Sequence, residues 1–331
     1  MRTLFENTKI GRLPLQNRFI RAAVTDTTLD GYVDDIIIKK YASLAKGKVG
    51  AIVTGMMLVD GEERLLPVVA MCSDSFLSGH RKLVEAVRKY DAKIIAQLAY
   101  VGSYAMASDN TSLVALAPSE VSNAVTGTRA REMRLGEIKM VQKKFADAAK
   151  LAQDAGYDGI EIHSAHGLLM SQFLTPHYNR REDEYGGPVE NRMRMLLETY
   201  SAIRTSTGYN FPVWVKLNSM DGIDGGIAEE DFMHVCKTLT RAGVDAIEVS
   251  GARTPGAYKP GAYFRDTAAK MAEDNNVAVI LTGGNRNVHE MASILEESNI
   301  RFFGIARPFF REPDLIEKFR KEYAVAHPDT E

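Results

Sequence analysis

Short aliphatic runs alternate with longer amphipathic ones along most of the chain. The short runs, at 19–24, 50–54, 93–98, 158–162, 212–217, 245–249, 278–281 and 302–305, are rich in β-branched or aliphatic residues and read as strands. Between them the apolar positions recur at steps of three and four. The clearest case is 137–155, where Ile138, Val141, Phe145, Ala148 and Ala152 define one face of a helix. The same period predicts helices over 35–45, 76–90, 190–205, 229–242, 266–274, 288–296 and 314–323. Gly156 and Gly243 stop their helices just before the next strand. Eight strand–helix pairs in this length favour a closed (β/α)8 TIM barrel over an open doubly wound sheet. The turn-rich residues 4–18 are expected to form a small hairpin that closes the barrel floor.

Two connections are long, 99–136 after the third strand and 163–189 after the fourth. Loops that follow barrel strands lie on the C-terminal face, where barrels carry their sites. His163 and His166 therefore open one of the two longest loops on the functional face.

Composition narrows the classes. The 331 residues are 45% hydrophobic and 25% charged, ordinary for a globular protein. A net charge of −2 gives no electrostatic case for nucleic acid or an anionic membrane. No run approaches the roughly 20 apolar residues of a membrane span. The start lacks the apolar core of a signal peptide. Cys72 and Cys236 show neither metal nor redox spacing, so a reduced, cytoplasmic setting is expected. No composition break divides the chain, which reads as one domain over 1–331.

Several residues at strand ends invite chemistry. Gly283 and Gly284 follow the seventh strand, and Ala306 and Arg307 follow the eighth. Barrels often grip phosphate there through backbone N–H groups, with an arginine adding a charge-assisted contact. The plainer alternative is a tight turn. Lys216 alternates away from its strand neighbours and needs a partner: a carboxylate such as Glu161 or Glu248, a carbonyl in a Schiff base, or an anionic ligand. Gln97 is either a structural hydrogen-bonder or a contact to a heteroaromatic ring edge. His163 and His166 lack a third zinc ligand at any recognised spacing. Two neutral imidazoles aimed at one point would instead polarise a carbonyl or nitro oxygen. A satisfied structural role remains open for each.

The run Ile162-His163-Ser164-Ala165-His166-Gly167, continued by Gln172-Phe173-Leu174, Asn179-Arg180-Arg181 and Glu190-Asn191-Arg192, is similar to the Old Yellow Enzyme family. Pro14-Leu15-Gln16-Asn17-Arg18-Phe19 resembles that family's entry to the first strand, and the likeness extends to Arg307-Pro308 and Glu312-Pro313. The resemblance implies FMN across the strands' C-terminal ends, reduced by NADH or NADPH. It assigns the phosphate to Gly283, Gly284, Ala306 and Arg307, and the pyrimidine edge to Gln97 and Lys216. Ala23, Val24, Thr25 and Met56 match positions lining the ring, with Thr25 near the C4 oxygen. His163 and His166 match the pair that holds the oxygen of an activated alkene while flavin N5 delivers a hydride. Asp183, Glu184, Arg181 and Arg192 are expected to form a structural ion network.

Two positions depart from the family's pattern. Leu168 stands where a tyrosine commonly protonates the substrate's α-carbon, and the histidine common after the glutamine strand is missing from Gln97-Leu98-Ala99-Tyr100. Tyr100 is the expected substitute donor, with Tyr104 or solvent as alternatives. Quinones and nitro compounds would need no donor so placed. A Schiff-base lyase using Lys216, and a flavin-binding protein without efficient turnover, complete the alternatives. With no cysteine cluster after the barrel, the short FMN-only form of the family is expected, acting on a small electrophile, and barrels of this kind commonly self-associate. Arg253 or Arg265 would read a cofactor 2′-phosphate, and the loops at 100–136 and 251–258 would wall the acceptor pocket.

Overall fold

In the computed structural model, which describes residues 2–61, 66–105, 114–251 and 261–326, eight parallel strands close into a barrel. They are β1 (Phe19–Arg21), β2 (Ala51–Leu58), β3 (Lys93–Ala99) and β4 (Gly159–Ser164), then β5 (Val213–Asn218), β6 (Ala246–Ser250), β7 (Ala278–Thr282) and β8 (Phe302–Ile305). Each pairs with the next in sequence, and β8 returns to β1. The fold is the expected (β/α)8 barrel.

Alternation divides each strand between two cores. Outward residues such as Ile94, Leu98, Ile160, Val215 and Leu281 pack with the helices in the main apolar cluster. Inward residues Ile20, Val53, Ile95, Trp214, Ala246, Ile280 and Phe302 fill the lower barrel. The antiparallel hairpin Thr8–Ile10 and Leu13–Leu15 adds Ile10, Leu13 and Leu15 to this inner cluster and plugs the floor.

The elements differ from expectation where side chains intervene. β1 stops at Arg21, because the following segment is held instead by Asp26, which accepts from the Tyr41 hydroxyl (2.5 Å) and the Lys40 ammonium (2.5 Å). β2 runs on to Leu58 through a bulge between Val53 and Met56, which turns Met56 toward Gln97. β4 extends to Ser164, so His163 lies on the strand rather than in the loop. The helix expected over 190–205 is broken at Met193 into Val189–Arg192 and Arg194–Thr207. A helix, Leu169–Leu174, follows the histidines. A small parallel pair, Leu116–Ala117 with Arg131–Glu132, lies in the loop after β3.

The loops over the mouth are cross-braced. Arg181 binds Asp183 and donates to the carbonyls of Pro118 and Met133, joining the loop after β4 to the loop after β3. Arg192 pairs with Asp231 at 2.5 Å. These arginines are structural, as the sequence suggested.

Candidate active site

Two residues above the apolar layer, the inward positions of β3 to β7 become polar: Gln97, Glu161, Lys216, Glu248 and Thr282. Lys216 Nζ donates to Glu248 Oε1 at 2.7 Å, with both side chains buried. Gln97 Nε2 donates to Glu161 Oε2 at 2.6 Å. The two carboxyls face each other within hydrogen-bonding range. Burial, then the neighbouring Glu248, raises Glu161 well above the usual carboxylate range. Burial would raise Glu248 as well, but Lys216 and the hydrogen bonds it receives hold it below its ordinary value. The ion pair answers the question left by Lys216: an amine held in a salt bridge lacks the free lone pair a Schiff base requires.

One step higher stand His163 on β4, Asn218 on β5 and Ser250 on β6. The His163 Nδ1 accepts from the Ala165 N–H at 3.3 Å, which places the ring proton on Nε2. His166 lies beyond the strand with φ of 59°, a left-handed conformation held by its N–H donating to Asn218 Oδ1 (3.2 Å). Asn218 in turn binds Asp221, which accepts from the Thr175 hydroxyl. His166 Nε2 lies 3.0 Å from the Ser250 hydroxyl. The two imidazoles meet edge to face, 5.1 Å between centroids. Burial, then the neighbouring His166 ring and the Lys216 charge, pushes His163 well below the usual histidine range. Desolvation and Lys216 lower His166 too, tempered by the Glu248 carboxylate. Both rings are neutral at pH 7.

The opposite side of the mouth is shaped for an anion. Gly283 (φ 115°) and Gly284 (φ 84°) end β7, and a Cβ on Gly284 would lie 1.7 Å from the Gly261 carbonyl oxygen. Glycine is therefore required there by its protein neighbour as well as by any ligand. The N–H groups of Gly283, Gly284 and Ala306 donate to no backbone acceptor among the described residues. Arg307, exposed at the end of β8, has no ion pair among them either. Asn285 ties the two strand ends by donating to Leu281 and Gly304.

Ala23 packs on the inner cluster, and Val24 shares a small crevice with Ala306, Phe309 and Arg21. Thr25 is exposed and Met56 half-buried. Donors free on one side, a cation with an amide in the centre and small side chains between them suit a flavin mononucleotide. The residues present fit FMN.

Tyr100 follows the outward series of β3, and its ring packs in the main apolar cluster, on the side of Arg131. Tyr104 is the nearer phenol: its Cδ2 lies 3.8 Å from the point a Cβ on Gly167 would occupy. Leu168 is buried at the start of helix Leu169–Leu174. Arg265 is paired with Glu297 at 2.6 Å, and Arg253 lies outside the described residues, as do 106–113 of the first loop expected to wall the pocket and 252–258 of the second. Sequence reading treated Glu161 and Glu248 only as partners for Lys216 and overlooked Asn218 and Ser250. The period of two could have found them, since Asn218 follows Lys216, and Ser250 follows Glu248, at that spacing.

Comparisons with known proteins agree with this geometry. A metal reductase of Desulforamulus reducens is 34% identical over 333 residues, covering 96% of this chain and 48% of that protein. An NADH oxidase of Thermoanaerobacter brockii is 31% identical over 329 residues, covering 96% of this chain and 50% of that protein. The chain thus spans about half the length of these two relatives. The structure of Old Yellow Enzyme from Pichia sp. AKU4542 superposes with a TM-score of 0.83 at 26% identity, over 97% of this chain and 87% of that one. The family model for NADH:flavin oxidoreductases and NADH oxidases matches residues 3–325. FMN, with NADH or NADPH as its reductant, is the chemistry of that family. With the barrel, the flavin-shaped mouth and this match in agreement, the chain belongs to the NADH:flavin oxidoreductase / NADH oxidase family, that of Old Yellow Enzyme.

Proposed function

We propose that this barrel reduces an activated alkene, such as an enone, whose oxygen is held by His163 and His166. FMN, when bound, supplies the hydride it has taken from NADH or NADPH. The observation that carries the reading is the pair of neutral imidazoles, 5.1 Å apart above the buried Lys216 layer. A neutral ring with its proton on Nε2 donates to a carbonyl oxygen without requiring a counter-ion, and so draws charge from the β-carbon. Gln97 and Lys216 would hold the pyrimidine edge, and Gly283, Gly284, Ala306 and Arg307 the phosphate. Ala23, Val24, Thr25 and Met56 would border the ring. Tyr104 takes the place of Tyr100 as proton donor to the α-carbon, because of its position across Gly167 from the histidines.

A second reading, with a quinone or nitro acceptor, is favoured by one feature. Leu168 offers no proton where a hydroxyl would otherwise stand. Anaerobic visible spectroscopy separates the two. The flavin band should bleach with NADH or NADPH and return on addition of cyclohexenone. His163→Ala and His166→Ala should each slow that return by roughly 100-fold, with bleaching unchanged. A band that returns only with a quinone or nitro compound would select the second reading. A protein that FMN cannot colour would defeat both.

A further inference from the structure

We propose that Glu161 and Glu248 hold one proton between them, so that Glu161 is a neutral acid that positions Gln97 while Glu248 remains the counter-ion of Lys216. The proposal rests on the function proposed above, because it concerns the two side chains assigned to the pyrimidine edge.

The hydrogen-bond pattern has a place for the proton. Glu161 Oε2 accepts from Gln97, and Glu248 Oε1 accepts from Lys216. The remaining oxygens, Glu161 Oε1 and Glu248 Oε2, are buried without a hydrogen-bond partner among the described residues, and the one other donor beside them there, the Thr282 hydroxyl, faces Glu248 and leaves Glu161 Oε1 unmatched. Two bare carboxylates cannot share such a contact, but an acid and a carboxylate can: Oε1–H of Glu161 donates to Oε2 of Glu248. One proton then satisfies both orphaned atoms.

Charge gives the same count. The charged and titratable groups facing the pair are Lys216 on β5, His163 on β4 and His166 beyond it, and both imidazoles are neutral at pH 7. Gln97 on β3 and Thr282 on β7 carry no charge. Two carboxylates would leave a net negative charge sealed in the barrel, whereas one carboxylate balances the single ammonium. The proton belongs on Glu161, because Glu248 has the ammonium and Glu161 has only an amide.

The consequence reaches the mouth of the barrel. With Gln97 Nε2 committed to the carbonyl oxygen of Glu161, the amide oxygen is turned the other way and becomes an acceptor with a set direction. Glu161 is thus a positioning residue. It fixes which end of the amide a ring above would meet.

Infrared difference spectra of the full chain, recorded with and without FMN, test this. A protonated-carboxyl stretch should be present at neutral pH and disappear in Glu161→Gln. That variant keeps both hydrogen bonds, since its carbonyl accepts from Gln97 and its amide donates to Glu248, so FMN affinity should stay within about twofold of the parent's. Glu161→Leu keeps the bulk but strands Gln97, and should weaken FMN binding by roughly tenfold. The absence of the band from the parent, or its survival in Glu161→Gln, would overturn the proposal even if Glu161→Leu failed to fold. Undiminished FMN affinity in a folded Glu161→Leu would overturn the positioning role. A parent that binds no FMN would defeat the cofactor reading, and the band alone would then decide where the proton lies.

Discussion

Two layers of the barrel interior lie two residues, or about 6–7 Å, apart along the same strands. The lower holds Ile95, Gly159, Trp214, Ala246 and Ile280, and the upper holds Gln97, Glu161, Lys216, Glu248 and Thr282. Both are almost fully buried, yet they are held by different physics. The lower layer gains stability from every methylene it removes from water and asks only for volume. The upper layer is stable only while its charges and hydrogen bonds stay matched, because each unpaired member would be costly. A barrel can thus build a chemical site directly on a structural core with one change of residue type per strand.

The comparison breaks most sharply at Lys216. Lys216→Met preserves the shape of the upper layer but leaves Glu248 without its counter-ion. It should cost about 3–5 kcal/mol, the scale for a buried pair missing one partner. Urea unfolding of the parent and the variant measures it, and loss of less than 1 kcal/mol would mean that water or a second proton rescues the layer.

In the lower layer Ile95→Ala should cost about 2–5 kcal/mol through the cavity it leaves. The flavin spectrum and FMN affinity should not change. An altered spectrum would show that the floor shapes the site and does more than support it.

Acid should separate the layers most finely. Because His163 is pushed below the ordinary histidine value in the folded chain, the unfolded chain binds the extra proton first as pH falls. Its contribution to stability is present above about pH 6.5, the unfolded value, and is lost progressively as pH falls below that. His163→Asn should flatten this part of the stability–pH curve, whereas Ile95→Ala should lower the whole curve without changing its shape. A parallel shift in both would place the acid sensitivity elsewhere.

Much of this was legible in the chain itself. The alternation at 93–98 and 212–217, and the three-four spacing at 137–155, led to β3, β5 and the helix Leu135–Ala155. They did so because burial on two faces imposes its period on the residues. The motif around His163 and His166 pointed to the mouth for the same reason that it pointed to the family: strand, turn and ligand needs all constrain it. Tyr100 shows what a motif does not carry. It follows the glutamine strand, where the family's pattern has a histidine, but its ring joined the outer core.

What the sequence determined by itself was the barrel, the apolar floor and the inventory of polar residues at the strand ends, because these follow from local periodicity. Only the tertiary structure decided which of them meet. Glu161 and Glu248 lie on strands separated by β5, with 86 residues of chain between them, and nothing local brings one to the other. Closure of the sheet does so. The pairing of Lys216 with Glu248, the left-handed turn of His166 against Asn218 and the placing of Tyr104 across Gly167 all arise from register between strands and from loops packed over the mouth.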